Sequence, residues 1–306
     1  MEQLENLKTN SIVLPCDITT SLIDVPTKII IPESNSIPID NEFVQLAPLW
    51  VRTIDNQFCG IVQEQNEWQW ICSTAIRRSA KSQPIIIQQA LKGKSYYLIG
   101  FRDRYHFFST EILSVEFTAG SYRVPKLIWA PSDCSGFEIK RIIEKSKMKG
   151  KQLPRGNYCT LFEFVSNQDG VFLTFAQILN SPDKVLTKIC KESSGVDLQK
   201  INDAIQHHEI PNHVPSKELG CAVSWFIPHS GVVQSIEGIE EVKRMEGVKE
   251  VFINIQAGDS ITHVTDISSR DRIGYILAVC PDAFTAKNRA LTALSKIKIN
   301  TQNILP

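Results

Sequence analysis

The chain has 306 residues, and its 33 Lys+Arg balance its 33 Asp+Glu, so no global field favours nucleic acid or an acidic membrane. A hydrophobic share of 42% and a charged share of 22% are those of a globular protein, long enough for one large domain or two to three packed lobes. No apolar run approaches the roughly 18 to 20 residues that cross a bilayer, and Met1-Glu2-Gln3-Leu4-Glu5 lacks a basic and apolar signal peptide, so the expected location is cytoplasmic.

Residues 1–45 are rich in Ser, Thr, Asn and Pro, and predict an arm or remnant with a strand or two, such as Thr27-Lys28-Ile29-Ile30-Ile31. Residues 46–100 predict a small, strand-dominated lobe with strands over 49–52, 59–62 and 84–87. Residues 101–215 predict a core lobe. Its strands fall in 105–117 and 158–175, and the turn Asn167-Gln168-Asp169-Gly170 makes an antiparallel hairpin of the second stretch. Helices are predicted near 138–149, 185–192 and 198–208, with Gly195 between the last two and a linker over 209–217 carrying Pro211 and Pro215.

Residues 216–306 predict a C-terminal lobe in which two apolar periods alternate. Ala222-Val223-Ser224-Trp225-Phe226-Ile227 reads as a strand; Ile236, Ile239, Val242 and Met245 recur at helical spacing, and Gly247 sits where a helix ends left-handed. Val248-Lys249-Glu250-Val251-Phe252-Ile253 is strand-like, a buried strand follows Arg272, and Asp282 caps a last helix whose Ala283, Ala286, Ala290, Ala293 and Ile297 share one face.

The eight cysteines, Cys16, Cys59, Cys72, Cys134, Cys159, Cys190, Cys221 and Cys280, are scattered with no C-x-x-C, which disfavours zinc knuckles and redox pairs and predicts reduced thiols. His207, His208, Glu209 and His213 form a small cluster, but Pro211 breaks the helix that would align ligands, so a solvated helix end is the reading. The basic run from Lys140 to Arg155 reads as the wet face of a helix anchored by Ile139, Ile142 and Ile143. No G-x-S-x-G, P-loop or H-E-x-x-H motif occurs.

The phrases Gly231-Val232-Val233, Ser235-Ile236-Glu237-Gly238, Ala257-Gly258-Asp259 and Asp271-Arg272-Ile273-Gly274-Tyr275, in that order, resemble the C-terminal part of ATP-grasp carboxylate–amine ligases of the L-amino-acid (dipeptide) ligase type. The resemblance covers roughly residues 47–299. It implies an α+β, ATP-grasp-like fold with mixed or antiparallel sheets, a C-terminal α+β lobe, and an N-terminal Rossmann-like domain that is absent or reduced. Such enzymes transfer the γ-phosphoryl group of ATP to a carboxylate, and an amine then attacks the acylphosphate, which requires cations on the phosphates and carboxylates on magnesium.

Carried over residue by residue, the resemblance places Arg52 where the family has a phosphate-binding Lys, and Gln88 and Gln89 where the adenine hinge has two acids. It places Glu163 at the first metal carboxylate, and Phe175, Gln177 and Leu179 where Glu-x-Asn-x-Arg is expected. Arg272 matches the C-terminal phrase. No register of 171–179 supplies a second carboxylate, and Ile54-Asp55-Asn56-Gln57-Phe58-Cys59-Gly60 reads as a plain hairpin, not a glycine-rich phosphate loop. The resulting expectation is a degenerate, non-catalytic pseudo-ligase with no catalytic residues and no cofactor. It would bind a small molecule or a protein partner, an active ligase or a second copy of itself, and neither nucleic acid nor membrane. Two alternatives stay open: an active ligase using ATP and Mg through atypical ligands, and a ligand-free interaction scaffold. Whether the interlobe cleft is open or plugged by Phe58 and Phe175 stays open at the level of sequence.

Overall fold

The computed structural model describes residues 11–12, 22–31, 45, 47–55, 58–79, 83–211 and 213–302. The chain begins with β1 (Ser11–Ile12), β2 (Thr27–Ile30), β3 (Leu49–Thr53), β4 (Cys59–Val62), α1 (Trp68–Arg78) and β5 (Ile85–Gln89). It continues through β6 (Lys94–Arg102), β7 (Phe107–Phe117), β8 (Pro125–Ala130), α2 (Gly136–Gln152), β9 (Tyr158–Asn167), β10 (Gly170–Leu179), α3 (Lys184–Ser193) and α4 (Leu198–Gln206). The last third holds β11 (Gly220–Trp225), β12 (Gly231–Glu237), α5 (Ile239–Lys243), β13 (Val248–Ile253), β14 (Ser260–Ile261), α6 (Ile267–Asp271), β15 (Gly274–Cys280), α7 (Ala283–Lys296) and β16 (Lys298–Gln302).

Alternation along the strands decides how these elements layer. In the four-stranded sheet β2-β5-β3-β4, Leu49, Val51, Ile85 and Ile87 point to one face, where they pack with Trp68 and Ile71 of α1. The residues between them, Trp50, Arg52, Ile86 and Gln88, point to the opposite face, toward Val165 and Phe175 of the large sheet. That large sheet runs β1-β10-β9-β6-β7-β8-β11-β15-β13 with every pairing antiparallel. Tyr96, Leu98, Phe162 and Phe164 face Ile142 of α2, while Tyr97, Ile99, Cys159 and Leu161 face the Leu186, Ile189 and Ile201 side of α3 and α4.

The large sheet runs unbroken into the C-terminal lobe, where β8 pairs β11, and α7 lays Ala286 and Ala290 against Leu127, Ala222 and Ala278. The three-stranded sheet β14-β12-β16 closes a second core around Val233, Val242, Ile276 and Ile297. The α+β class with antiparallel sheets is the one the sequence implies. The hairpin over 158–175 forms as expected, with Gly170 opposite Asn167, and Gly247 adopts φ 80°. The helix expected from Ile236 onward is shorter. Ile236 pairs with Ile299 in β12·β16, and only residues 239–243 are helical. Gly238 causes this: its φ is 87° and an added Cβ would lie 2.2 Å from the Lys296 carbonyl oxygen, so the chain turns sharply between strand and helix.

Cys59, Cys72, Cys159, Cys190, Cys221 and Cys280 are buried free thiols and Cys134 is half-buried; Cys16 lies outside the described residues. Among the described residues no helix is long and apolar enough to cross a membrane. The helix α2 carries the basic run, starts on a Ser135–Glu138 capping box, and anchors Lys145 and Lys149 on Asp24.

Candidate functional site

The family-matched positions meet where the four-stranded sheet faces the large one. Arg52 reaches from β3 across to β9 and donates two hydrogen bonds to Glu163, Nη1 to Oε2 at 3.0 Å and Nη2 to Oε1 at 2.8 Å. This is the fork geometry in which guanidinium and carboxylate bind most strongly. A second guanidinium, Arg123, places its Nη1 2.8 Å from the same Oε1. Thr174 completes the shell, its hydroxyl donating to Glu163 Oε1 at 3.1 Å. All three charged groups are buried, Arg52 at 0%, Glu163 at 1% and Arg123 at 8% exposure.

Aromatic rings wall the cluster. Trp50 lies beneath both guanidiniums, 4.8 Å from Arg52 and 4.4 Å from Arg123; Phe117 covers Arg123 at 3.4 Å and Phe175 lies 5.2 Å from Arg52. Burial by itself would raise the Glu163 carboxyl, but the Arg123 and Arg52 guanidiniums and the Thr174 hydroxyl outweigh it and hold the group down at about 2. One carboxylate cannot serve two guanidiniums equally. Burial works against both, yet Arg52, with the bidentate bond, is held more basic than usual, whereas Arg123 is made less basic.

Register explains who is present. Phe175 pairs with Glu163, and a bulge between Leu173 and Phe175 shifts the parity of β10. Before the bulge Leu173 faces α2, and after it Ala176 and Ile178 do. Thr174 and Phe175 therefore both approach Glu163, one through its hydroxyl and the other through its ring. Arg123 arrives by a different route. Its segment runs beside β4, with Ile61 N–H donating to the Ser121 carbonyl and Arg123 N–H to the Cys59 carbonyl, both at 2.8 Å. Sequence reading passed over Arg123 because no family phrase contains it. The isolated Arg before Val124-Pro125, entering a strand, is the one signal it offers.

The remaining expected site residues are placed as follows. Gln88 is fully buried and donates Nε2 to the Thr174 carbonyl at 2.8 Å, so its side chain braces the two sheets together and does not line the hinge. Gln89, half-buried, pairs with Leu49 at the end of β5. Gln177 donates Nε2 to the Asp55 carbonyl at 2.9 Å, holding the β3–β4 hairpin turn. Arg272 is exposed at the end of α6; its neighbour Arg270 is the buried one, donating to the Pro125 carbonyl at 3.0 Å and covering Trp225 at 4.0 Å. Phe175 does fill the space between the sheets, with Ile54 and Ile86, but Phe58 turns to the α1 side and packs on Trp68. In the histidine cluster, His207 caps α4 and His213 stacks on Phe108 at 4.8 Å. Among the described residues no group of three or more His, Cys, Asp or Glu could hold a metal ion.

Magnesium needs anionic oxygen ligands, and a triphosphate needs spare cations. Around Glu163 stand two guanidiniums and a hydroxyl, and the carboxylate oxygens are already occupied by those donors. These residues do not fit Mg-ATP in the way the resemblance implied. Beside the cluster, a cavity of about 860 Å³ opens between the hinge segment at Ala90, Leu91, Lys92 and Gly93 and the strands β7 and β8. Arg123 is the member of the charged trio that lines it.

Residues 224–302 match the family model described as L-amino acid ligase C-terminal domain 2. The fold is similar to the crystal structure of L-amino acid ligase from Bacillus licheniformis, with TM-score 0.75, 15% identity, and coverage of 94% of this chain and 72% of that one. It is also similar to phosphoribosylglycinamide synthetase from Anaerococcus prevotii, with TM-score 0.62, 14% identity, and coverage of 94% of this chain and 72% of that one. A third match is carboxyaminoimidazole ribonucleotide synthase from Aspergillus clavatus, complexed with ATP, with TM-score 0.67, 12% identity, and coverage of 91% of this chain and 70% of that one. No curated protein sequence matches the chain. The fold is thus that of the ATP-grasp ligases, and the C-terminal resemblance is to the L-amino acid ligases, as the sequence phrases imply.

Proposed function

We propose that this chain is a pseudo-ligase, an ATP-grasp body that does not join carboxylate to amine and instead binds a small molecule or a protein partner, such as an active ligase or a second copy of itself. The observation that carries the reading is the Arg52–Glu163–Arg123 trio. Glu163, the carboxylate that the resemblance places in the metal set, is buried and hydrogen-bonded to Arg52, and Arg123 lies 2.8 Å from the same Oε1. Displacing it would leave a guanidinium without its anion in a low-dielectric site, at a cost of several kcal/mol. A cytoplasmic location belongs to the same proposal.

The test is Mg-ATP itself. A ligand that binds the folded state raises stability by RT ln(1 + [L]/Kd). Millimolar Mg-ATP is expected to leave the melting temperature unchanged, and no amino acid is expected to stimulate ADP release. A shift of several degrees, or ADP release that depends on an added amino acid, would overturn the reading in favour of a working ligase with atypical ligands.

A further inference from the structure

We propose that the cavity between the end of α3 and the start of α7 is a binding site for a small organic cation, an ammonium group on a compact apolar body, with Glu111 as its counter-ion. The cavity has a volume of about 660 Å³ and shares no lining residue with the one beside Arg123. Occupancy of this site goes beyond the pseudo-ligase reading and does not depend on how the Arg52–Glu163 cluster treats Mg-ATP.

Glu111 reaches from β7 to α3, where it accepts a hydrogen bond from the Ser193 hydroxyl at 2.7 Å. It is half-buried and makes no ion pair among the described residues. Burial raises its carboxyl, opposed only by the Ser193 and Ser194 hydroxyls. Ser193 is also the last residue of α3, so the carboxylate lies against the negative end of that helix's dipole. Both effects disfavour an anion, and a cation bound to Glu111 relieves both. Lys217 is the only lysine or arginine among the described residues lining the cavity, and its Nζ is turned to α3, 3.2 Å from the Lys191 carbonyl oxygen and 3.9 Å from Glu192. His213 is stacked on Phe108 at 4.8 Å. Glu218 makes no ion pair among the described residues, and Asp282 caps α7. Three carboxylates thus face one lysine that already has partners, and the field in the cavity favours a cation.

The walls decide what kind of cation fits. Magnesium and calcium need several anionic oxygen ligands, and among the described residues no group of three His, Cys, Asp or Glu could hold a metal ion. Around the carboxylate stand Pro131, Val196, Pro215, Leu219 and Pro281, whose apolar surface an organic body would remove from water. An ammonium brings three donors to the charged end. The wall formed by 215–219 is held in place without a guest. Ser216 and Lys217 N–H both donate to the Ser194 carbonyl, at 2.8 and 3.0 Å, and Leu219 N–H donates to the Ser193 carbonyl at 3.0 Å. Such a preformed, mostly apolar cavity with one charged group at its wall has the make-up of a small-molecule site.

The probe is 2-phenylethylamine, titrated calorimetrically into the full chain at pH 7.5 in EDTA, with 2-phenylethanol as its neutral counterpart. The amine is expected to bind at least about tenfold more tightly than the alcohol, the ratio one charge-assisted hydrogen bond supplies. Glu111→Gln keeps an acceptor for Ser193 and removes the charge. It should abolish the preference for the amine and leave the melting temperature of the empty protein unchanged or higher. Ser109→Tyr, which narrows the cavity and alters no charge, should weaken amine and alcohol alike. Equal binding of amine and alcohol, binding of neither, or a preference that survives Glu111→Gln overturns the inference. So does amine binding untouched by Ser109→Tyr, because the guest would then sit elsewhere. A Glu111→Gln chain that melts several degrees lower also overturns it, because the carboxylate would then be an anchor for α3. None of these outcomes alters the Mg-ATP test, which reads the Arg52–Glu163 cluster alone.

Discussion

The inter-sheet cluster and the C-terminal lobe solve the problem of burial in opposite ways. In the C-terminal lobe Ala222, Ala278, Ala286 and Ala290 let α7 lie close on β11 and β15, and a buried polar group can be satisfied within a few residues of its own position. Asp266, for example, caps α6 by accepting from Ser269 N–H, and its own N–H donates to the Ser269 hydroxyl. Between the two sheets, charges from β3, β9 and the segment before β8 meet across 111 positions of sequence in the Arg52–Glu163 pair. The first arrangement gains stability from many independent small contributions. The second depends on one carboxylate, because a buried ion pair is expensive to break though of little net advantage over apolar packing.

The sharpest way to break this contrast is Glu163→Gln. It removes the carboxylate that both buried guanidiniums share and should cost about 3–5 kcal/mol in urea unfolding. The triple change Arg52→Met, Glu163→Leu, Arg123→Met removes the whole charged group, and is expected to recover most of that loss or exceed the parent by up to about 4 kcal/mol. If the single variant is as stable as the parent, the cluster is hydrated and open, and the account of it fails.

Acid should expose the same carboxylate more gently. Glu163 has a usual value of 4.5 and sits at about 2 in the folded chain, so its folded pKa is depressed. Its contribution is therefore fully present above about pH 4.5 and is lost as pH falls toward 2, with a total on the order of a few kcal/mol. Urea midpoints at pH 6, 4 and 3 should decline more steeply in the parent than in Glu163→Gln; parallel declines would remove Glu163 as the cause.

The smallest effect belongs to the C-terminal lobe. Asp266→Ala removes the α6 cap and the 3.0 Å pair with Arg78, whose side chain is 49% exposed. About 1–2 kcal/mol should be lost, nearly all from the cap, since half-exposed pairs contribute little. Raising salt to 1 M should leave that loss almost unchanged.

Much of the fold was legible without coordinates. Alternation in 158–179, the Asp169-Gly170 turn, the glycine at 247 and the cap at Asp282 act over a few residues, so the chain carries them in plain order. The family phrases placed Arg52 and Glu163, and these do meet. What remained hidden depended on distance or on parity. The Gln88 side chain bonds across to β10, and of the neighbours Arg270 and Arg272 it is Arg270 that is buried, placements that no local pattern in the sequence states. The bulge after Leu173, which brings Thr174 beside Glu163, has no residue signature of its own.

Sequence by itself determined the periods, turns and caps, the resemblance to the ligase lobe, and the lack of a second carboxylate in 171–179, because each of these is a statement about neighbouring residues. Only the tertiary structure decided that Arg123 joins Arg52 on the one remaining carboxylate, and that a cavity of about 860 Å³ opens beside it. The physical reason is that a buried charge must find its partner wherever the packed sheets bring one within hydrogen-bond reach, and chain order does not encode that distance.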